Sequence, residues 1–212
     1  MRTGVVRRAI AVALFAAAAN VCAVQAQSFE QSLQWCHGKG QPTADQTIAG
    51  CSTVITSGRL SGKDLNVAYI NRGIAYHTKR EYDRAIQDYD EAIRLDPEYA
   101  LAFADRGSTY RLKGRYDRAL QDYDEAIRLN PSNALWLGTR GFTYLKLKRY
   151  DQAIADYDAA LKIDPKRAFT LFSRGVAKRA RGDTTGGDAD IAAAKAIDAN
   201  IAAEAAKFDI VP

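Results

Sequence analysis

A sixteen-residue phrase recurs at a spacing of 34 residues, and this repetition is the strongest constraint on the fold. It reads YDRAIQDYDEAIRLDP at 82–97, YDRALQDYDEAIRLNP at 116–131 and YDQAIADYDAALKIDP at 150–165. Apolar residues in each copy are spaced by three and four, with charged and amide residues between them, which is typical of an amphipathic helix. A fixed period of this length predicts an array of one repeated supersecondary unit.

A second helix precedes this phrase in every period. It is visible in YINRGIAYHTK, FADRGSTYRLK and LGTRGFTYLKL, and a glycine keeps the 34-residue step at positions 73, 107, 141 and 175. A glycine inside a helix costs about 1 kcal/mol relative to alanine, so its recurrence predicts that a neighbouring helix passes close by. Each period is therefore predicted to be two antiparallel helices. The pairs Asp96-Pro97, Asn130-Pro131 and Asp164-Pro165 are predicted to be the N-cap and first residue of the following helix.

These residues resemble the tetratricopeptide repeat family, in which an aromatic residue, glycine, tyrosine, alanine and proline recur at fixed places among 34. The three copies supply Tyr69, Gly73, Tyr76, Ala85, Tyr89, Ala92 and Pro97; Phe103, Gly107, Tyr110, Ala119, Tyr123, Ala126 and Pro131; and Leu137, Gly141, Tyr144, Ala153, Tyr157, Ala160 and Pro165. The resemblance implies an all-α fold, a right-handed superhelical α-solenoid of antiparallel helix pairs. We predict a tandem array over 66–201, with repeats at 66–99, 100–133 and 134–167 and a degenerate repeat at 168–201.

One departure from the family pattern is itself repeated. Arginine replaces the leucine before each glycine, and an aspartate keeps step with it sixteen places later. An arginine at a position that tends to be buried needs a partner, so the spacing predicts a ladder of ion pairs; the alternative is that the two sets of charges are solvated on separate faces. The predicted pairs are Arg72 with Asp88, Arg106 with Asp122, Arg140 with Asp156 and Arg174 with Asp190.

Residues 1–26 have the pattern of a bacterial secretory signal peptide. Three arginines precede an alanine-rich apolar stretch, and Val24-Gln25-Ala26 is a small-residue cleavage motif. The apolar stretch is too short to favour an uncleaved membrane anchor. Removing these arginines lowers the net charge from +5 to +2, which is too small to indicate nucleic-acid binding. We therefore expect a periplasmic or secreted protein that neither inserts into a membrane nor binds nucleic acid.

Residues 27–65 are predicted to form a helical cap stapled by a disulfide. After cleavage Cys36 and Cys51 remain as an even pair in an oxidising compartment. Aligning DQTIAGCSTVI with DRAIQDYDEAI places Cys51 at the position of Tyr89, facing a helix that contains Cys36. A disulfide between them is therefore expected. Residues 58–64, GRLSGKD, are interpreted as a linker rather than a phosphate-binding loop.

The C-terminal end departs from the repeat frame. Lys178, Gly187 and Ala199 replace the tyrosine, alanine and proline of the pattern, as a terminal repeat with one face in solvent permits. The stretch DIAAAKAIDANIAAEAAKF is predicted to continue as helix. Residues 202–212, called the C-terminal tail below, are predicted to cap the array by docking FDIVP on the last helix pair.

Catalytic chemistry is not indicated. The chain has two histidines, His37 and His77, and a His/Cys metal site would need both cysteines reduced. The carboxylates of the DYDEA segments repeat with the frame, unlike a catalytic pair. We expect a non-enzymatic protein without metal or cofactor.

Copies of the first helix diverge at places that, in the family this chain resembles, line a concave groove. An apolar stripe of this extent indicates a partner, and Phe142 is expected to be an exposed anchor for it. The alternatives are drift between duplicated repeats and a groove closed by the protein's own tail. The predicted groove residues are Val67, Ile70, Ile74, His77, Leu101, Ala104, Ser108, Arg111, Leu135, Gly138, Phe142, Leu145, Phe169, Phe172, Val176 and Arg179.

Two functions remain open. The first is a protein-interaction scaffold in the cell envelope that binds a peptide segment or protein partner in the groove. The second is a structural repeat protein that self-associates, with the groove filled by its own tail or by another subunit.

Overall fold

The computed structural model describes residues 28–211 and is all-α over that range. Residues 1–27, which include the predicted signal peptide, and residue 212 lie outside the described part. No helix within 28–211 is long and apolar enough to cross a membrane. The helices are α1 (28–36), α2 (Ala44–Thr56), α3 (Gly62–Thr78), α4 (Tyr82–Leu95), α5 (Ala100–Leu112), α6 (Tyr116–Leu129), α7 (Ala134–Lys146), α8 (Tyr150–Ile163), α9 (Ala168–Ala180), α10 (Thr184–Ile197) and α11 (Ile201–Ala206).

The helices pack in consecutive pairs, which confirms the predicted α-solenoid. The pairs are α3 with α4, α5 with α6, α7 with α8 and α9 with α10. The recurring glycines let the two helices of a pair approach each other. A Cβ at Gly73 would lie 2.7 Å from the Tyr89 ring, and one at Gly141 would lie 2.9 Å from the Tyr157 ring. The chain divides into two compact units, one ending at Leu95 and one beginning at Asp96.

Helices were predicted to begin at the Asp-Pro and Asn-Pro pairs, and this prediction is wrong. Asp164 is the C-cap of α8, and its side chain accepts a hydrogen bond from the backbone N–H of Lys166. This turn adds three residues before α9 begins at Ala168. The side chain of Asn133 is the observed cap of α7, since it accepts from the N–H groups of Leu135 and Trp136. The prolines therefore lie in the turns between pairs.

The first unit has a small core built around the disulfide. Cys36 and Cys51 are bonded, as predicted, and both are buried with Val54 and Ala68. The amide of Asn71 donates to the carbonyl of Cys36, at 2.9 Å. The predicted linker at 58–64 is only partly correct, because α3 already begins at Gly62. The extent of the predicted cap stays a prediction.

The second unit has a larger core at its C-terminal end. The rings of Tyr157 and Phe172 are buried there together with Ile201 and Ile210. The predicted continuous helix is wrong, because α10 ends at Ile197 and α11 starts at Ile201. Asp198 makes the break, since its side chain accepts from the N–H of Asn200. Docking of the C-terminal tail is seen in the burial of Ile210, which is 2% exposed.

Candidate functional site

The arginines that recur in every repeat form the predicted ladder of ion pairs. Each of them donates through Nε and one terminal nitrogen to both oxygens of its predicted aspartate. The remaining nitrogen of Arg140 donates to Asp124 of the preceding repeat at 2.7 Å, and that of Arg174 donates to Asp158 at 2.7 Å. No role was predicted for these two aspartates. Because these arginines already have carboxylate partners, the ladder is a structural feature.

Hydrogen bonds change the pKa values of charged groups in the ladder. Burial alone would raise the pKa of Asp190, but the hydrogen bonds from Arg174 and Lys178 outweigh burial and hold that pKa below its ordinary value. Bonding to Asp156 raises the pKa of Arg140. The charged form of each of these two groups is therefore favoured at neutral pH.

A cavity of about 410 Å³ opens on the first helices of the second unit. Its walls come from α5, α7 and the start of α9, with one residue from the C-terminal tail. The lining residues are Arg111, Leu135, Gly138, Thr139, Phe142, Arg167, Ala168, Phe169, Thr170 and Phe208.

Three phenylalanine rings from separate elements meet in this cavity. The ring centroids of Phe142 and Phe169 are 6.2 Å apart, and Phe208 stands nearly perpendicular to both, at 6.2 and 5.8 Å. Edge-to-face contacts at these distances are favourable. Phe208 is nevertheless 48% exposed, and Leu135 at the same cavity is 55% exposed. The cavity therefore presents apolar surface to solvent.

Two arginines give the cavity a positive charge. The guanidinium carbon of Arg111 lies 5.1 Å from the centre of the Phe142 ring, within the range of a cation–π contact. The Nε atoms of Arg111 and Arg167 are both buried and make no hydrogen bond within the described part of the chain. A terminal nitrogen of Arg167 lies 3.7 Å from Asp164. Both side chains are nevertheless only half-buried, so an anionic partner can reach part of each guanidinium group.

Several predicted groove residues are buried, contrary to an exposed stripe. Phe142 was expected to be an exposed anchor, but it is 7% exposed because Phe169 and Phe208 pack against it. Ile70, Ala104, Leu145 and Phe172 are also buried. These residues help to hold the helices together.

The remaining predicted residues are accessible to different degrees. Ile74, Leu101, Leu135 and Arg179 are exposed, and Arg179 pairs with Asp188. Val67, His77, Ser108, Arg111, Gly138, Phe169 and Val176 are half-buried. The structure thus brings Arg111, Leu135, Gly138, Phe142 and Phe169 together at the cavity. Assignment of these residues to a peptide-binding groove stays a prediction.

Ile74 and Cys36 belong to the first unit, where a separate cavity of about 320 Å³ adjoins the disulfide. His37 and Asn71 also line it. No group of three potential metal ligands occurs within 28–211.

Sequence reasoning missed half of the cavity lining. Arg167 and Ala168 lie at the turn into α9, which the frame treated as a boundary, and Phe208 belongs to the C-terminal tail. The predicted docking of FDIVP was the available signal for Phe208, although it did not indicate that the tail would reach the predicted groove.

Paired helices joined through small residues, with a cavity on the first helices, define a helical-repeat protein. The tetratricopeptide repeat family model matches residues 70–134 and, in an overlapping register, residues 104–168. Residues 70–168 are therefore tetratricopeptide repeats.

Solved structures of MamA have a similar fold. A crystal structure of MamA is 21% identical with a TM-score of 0.69, covering 78% of this chain and 93% of that chain. MamA from residue 41 to the end, from Desulfovibrio magneticus RS-1, is 16% identical with a TM-score of 0.71, covering 82% of this chain and 96% of that chain. At these identities the similarity establishes the fold alone. A search of curated proteins found no match.

Proposed function

We propose that the protein is a non-enzymatic interaction scaffold that binds a segment of a partner protein in the cavity of α5, α7 and α9. Its repeats support the general role of a protein–protein interaction scaffold, and repeat arrays commonly bind partners on such surfaces. The observation that carries this proposal is the position of the cavity. Most of its lining residues differ between copies, whereas the copied residues build the helix pairs.

Leu135 offers the sharpest test of the cavity. Because it is 55% exposed, changing it to glutamate should leave helicity and melting temperature unchanged while the charge disfavours an apolar segment. Ile163→Glu is a matched control, since Ile163 is 44% exposed at the end of α8 and does not line the cavity. We expect affinity capture from periplasmic extract to lose partners with Leu135→Glu and to keep them with Ile163→Glu. Equal capture by both variants would contradict the proposed site.

The packing of Phe208 on Phe142 and Phe169 favours a second candidate, in which the tail or another subunit fills the cavity. Light scattering after size-exclusion chromatography separates the two. A monomer at all concentrations would support the scaffold. A dimer that Leu135→Glu converts to a monomer would support self-association through the cavity.

We further propose that the protein acts in the cell envelope. Support comes from the signal-peptide pattern in residues 1–26 and from the disulfide of Cys36 with Cys51, because disulfides persist in oxidising compartments. Mass spectrometry of protein from a periplasmic fraction should find a chain that begins at Gln27 and contains no free thiol. Intact residues 1–26, or two free cysteines, would contradict this location.

A further inference from the structure

The cavity is not only apolar but also aromatic and positively charged. Three aromatic rings surround a space of about 410 Å³, and two guanidinium groups lie at its walls. Neither aspartate nor glutamate is present among its lining residues in the described part of the chain. The site thus combines an aromatic surface with positive charge, which the carboxylate of Asp164, 3.7 Å from Arg167, offsets in part.

The guanidinium groups of the two arginines indicate what a ligand would supply. Their Nε atoms are buried and make no hydrogen bond within residues 28–211, but neither side chain is buried as a whole, and the side chain of Arg167 is 31% exposed. A ligand can therefore reach the exposed part of each group. Elsewhere in the same unit the Nε atoms of Arg106, Arg140 and Arg174 each donate to an aspartate. A carboxylate is therefore the natural acceptor for the cavity arginines.

The C-terminal tail already shows one way of using this site. Phe208 places its ring edge-on against Phe142 and Phe169, and its neighbour Asp209 carries a carboxylate. Lys146 donates to the carbonyl of Phe208 and to the carboxylate of Asp209, both at 3.3 Å. An aromatic residue next to an acidic one is thus compatible with the cavity and its rim.

We propose that the cavity recognises a partner segment in which an aromatic residue stands next to an aspartate or glutamate. The aromatic ring enters the space between Leu135 and the phenylalanines, and the carboxylate accepts hydrogen bonds from Arg111 and Arg167. This inference rests on the proposed function and names the chemistry of its partner. The geometry favours a peptide, because the tail presents both groups on adjacent residues.

The test is a titration of the full mature chain, followed by NMR, with the hexapeptide Ac-Gly-Ser-Phe-Asp-Ser-Gly-NH2. The Nε–H signals of Arg111 and Arg167 report a change at either guanidinium group, and the amide signals of Gly138 and Phe169 report occupancy. The matched peptide with asparagine in place of aspartate keeps the ring and removes the charge. We expect it to bind about tenfold more weakly, as the loss of one charge-assisted hydrogen bond requires.

Protein variants distinguish recognition of the carboxylate by the cavity from a general effect of the protein's positive charge. Arg111→Gln should remove the preference for the aspartate peptide, bringing the two dissociation constants within about twofold of each other. Arg118→Gln should keep the tenfold preference, because Arg118 lies over the Tyr110 ring and does not line the cavity. Arg167→Gln provides a second, independent variant at the site.

The possible failures are distinguishable. Equal binding of the aspartate and asparagine peptides in the cavity would overturn the proposed chemistry and leave the cavity as a binding site. Binding that leaves the signals of the lining residues unchanged would also overturn it, while the capture experiment with Leu135→Glu decides the proposed function separately. If 3-phenylpropanoate binds as tightly as the hexapeptide, the ligand is a small aromatic acid, and the peptide assignment is wrong.

Discussion

Arg140 in the ladder and Arg111 in the cavity lie on neighbouring first helices of one unit, yet their guanidinium groups have different surroundings. Arg140 donates to two aspartates, Asp156 in its own repeat and Asp124 in the preceding one. Arg111 stacks on Phe142, and its Nε makes no hydrogen bond within the described range. Arg140 joins two neighbouring repeats, whereas Arg111 lies at the proposed binding cavity.

The largest expected effect comes from breaking the ladder. Changing Arg140 to alanine leaves the carboxylate of Asp156 buried, with only 8% of its side chain exposed. Removing one partner from such a pair is strongly destabilising, and we expect a loss of about 3 kcal/mol in the free energy of unfolding. Urea denaturation monitored by circular dichroism measures this quantity.

Arg128→Ala is the control for that variant. Arg128 forms a pair with Glu125 on an exposed helix face, so its removal should leave the free energy of unfolding nearly unchanged. If the two variants were equally stable, the ladder would contribute no more than an exposed ion pair, and the distinction drawn between the two sets of arginines would lose its basis.

An effect of intermediate size on stability is expected from a change at Asp105. Burial raises the pKa of Asp105 from 3.8 to about 6, and its Oδ2 atom makes no hydrogen bond within residues 28–211. The folded state therefore binds a proton more tightly than the unfolded chain. The contribution of Asp105 to stability falls as the pH rises from about 4 to about 6 and stays low above that range.

Asp105→Asn should remove this dependence. At pH 7 we expect the variant to be more stable than the original chain by about 2 kcal/mol, and at pH 4 the two should be equal. Asparagine is accommodated at the equivalent place of the first repeat, where Asn71 donates to a backbone carbonyl. Thermal unfolding at the two pH values measures the difference. A variant less stable at both values would indicate that Asp105 has a stabilising partner.

The periodic part of the molecule could be predicted from sequence for a physical reason. Helix pairing needs the same small residues and the same charges in every repeat. The close approach of Gly73 to Tyr89 and the ion pair of Arg140 with Asp156 therefore involve residue types that recur every 34 residues. Their recurrence sufficed to predict the α-solenoid and the ladder. The same reasoning failed at the turns, where Asp164 and its equivalents cap the preceding helix and the proline does not start the next one.

The cavity could be predicted only in part. Arg111, Leu135 and Phe169 belong to diverging first-helix positions and were identified. Phe208 and Arg167 were not, because one comes from a tail outside the frame and the other from the turn before α9. Burial of Phe142 depends on that tail, which contributes the Phe208 ring packed against it. Contacts made once in a chain leave no periodic trace in its sequence.

The most direct test of the account is the Arg111→Gln variant, measured for both stability and binding. Because Arg111 has no ion-pair partner within residues 28–211 but stacks on the Phe142 ring, we expect the unfolding free energy of the variant to fall by no more than about 1 kcal/mol. Its affinity for the aspartate peptide should fall by about tenfold. A variant that unfolds as easily as Arg140→Ala but binds both peptides like the original chain would contradict the account, since Arg111 would then be a structural residue.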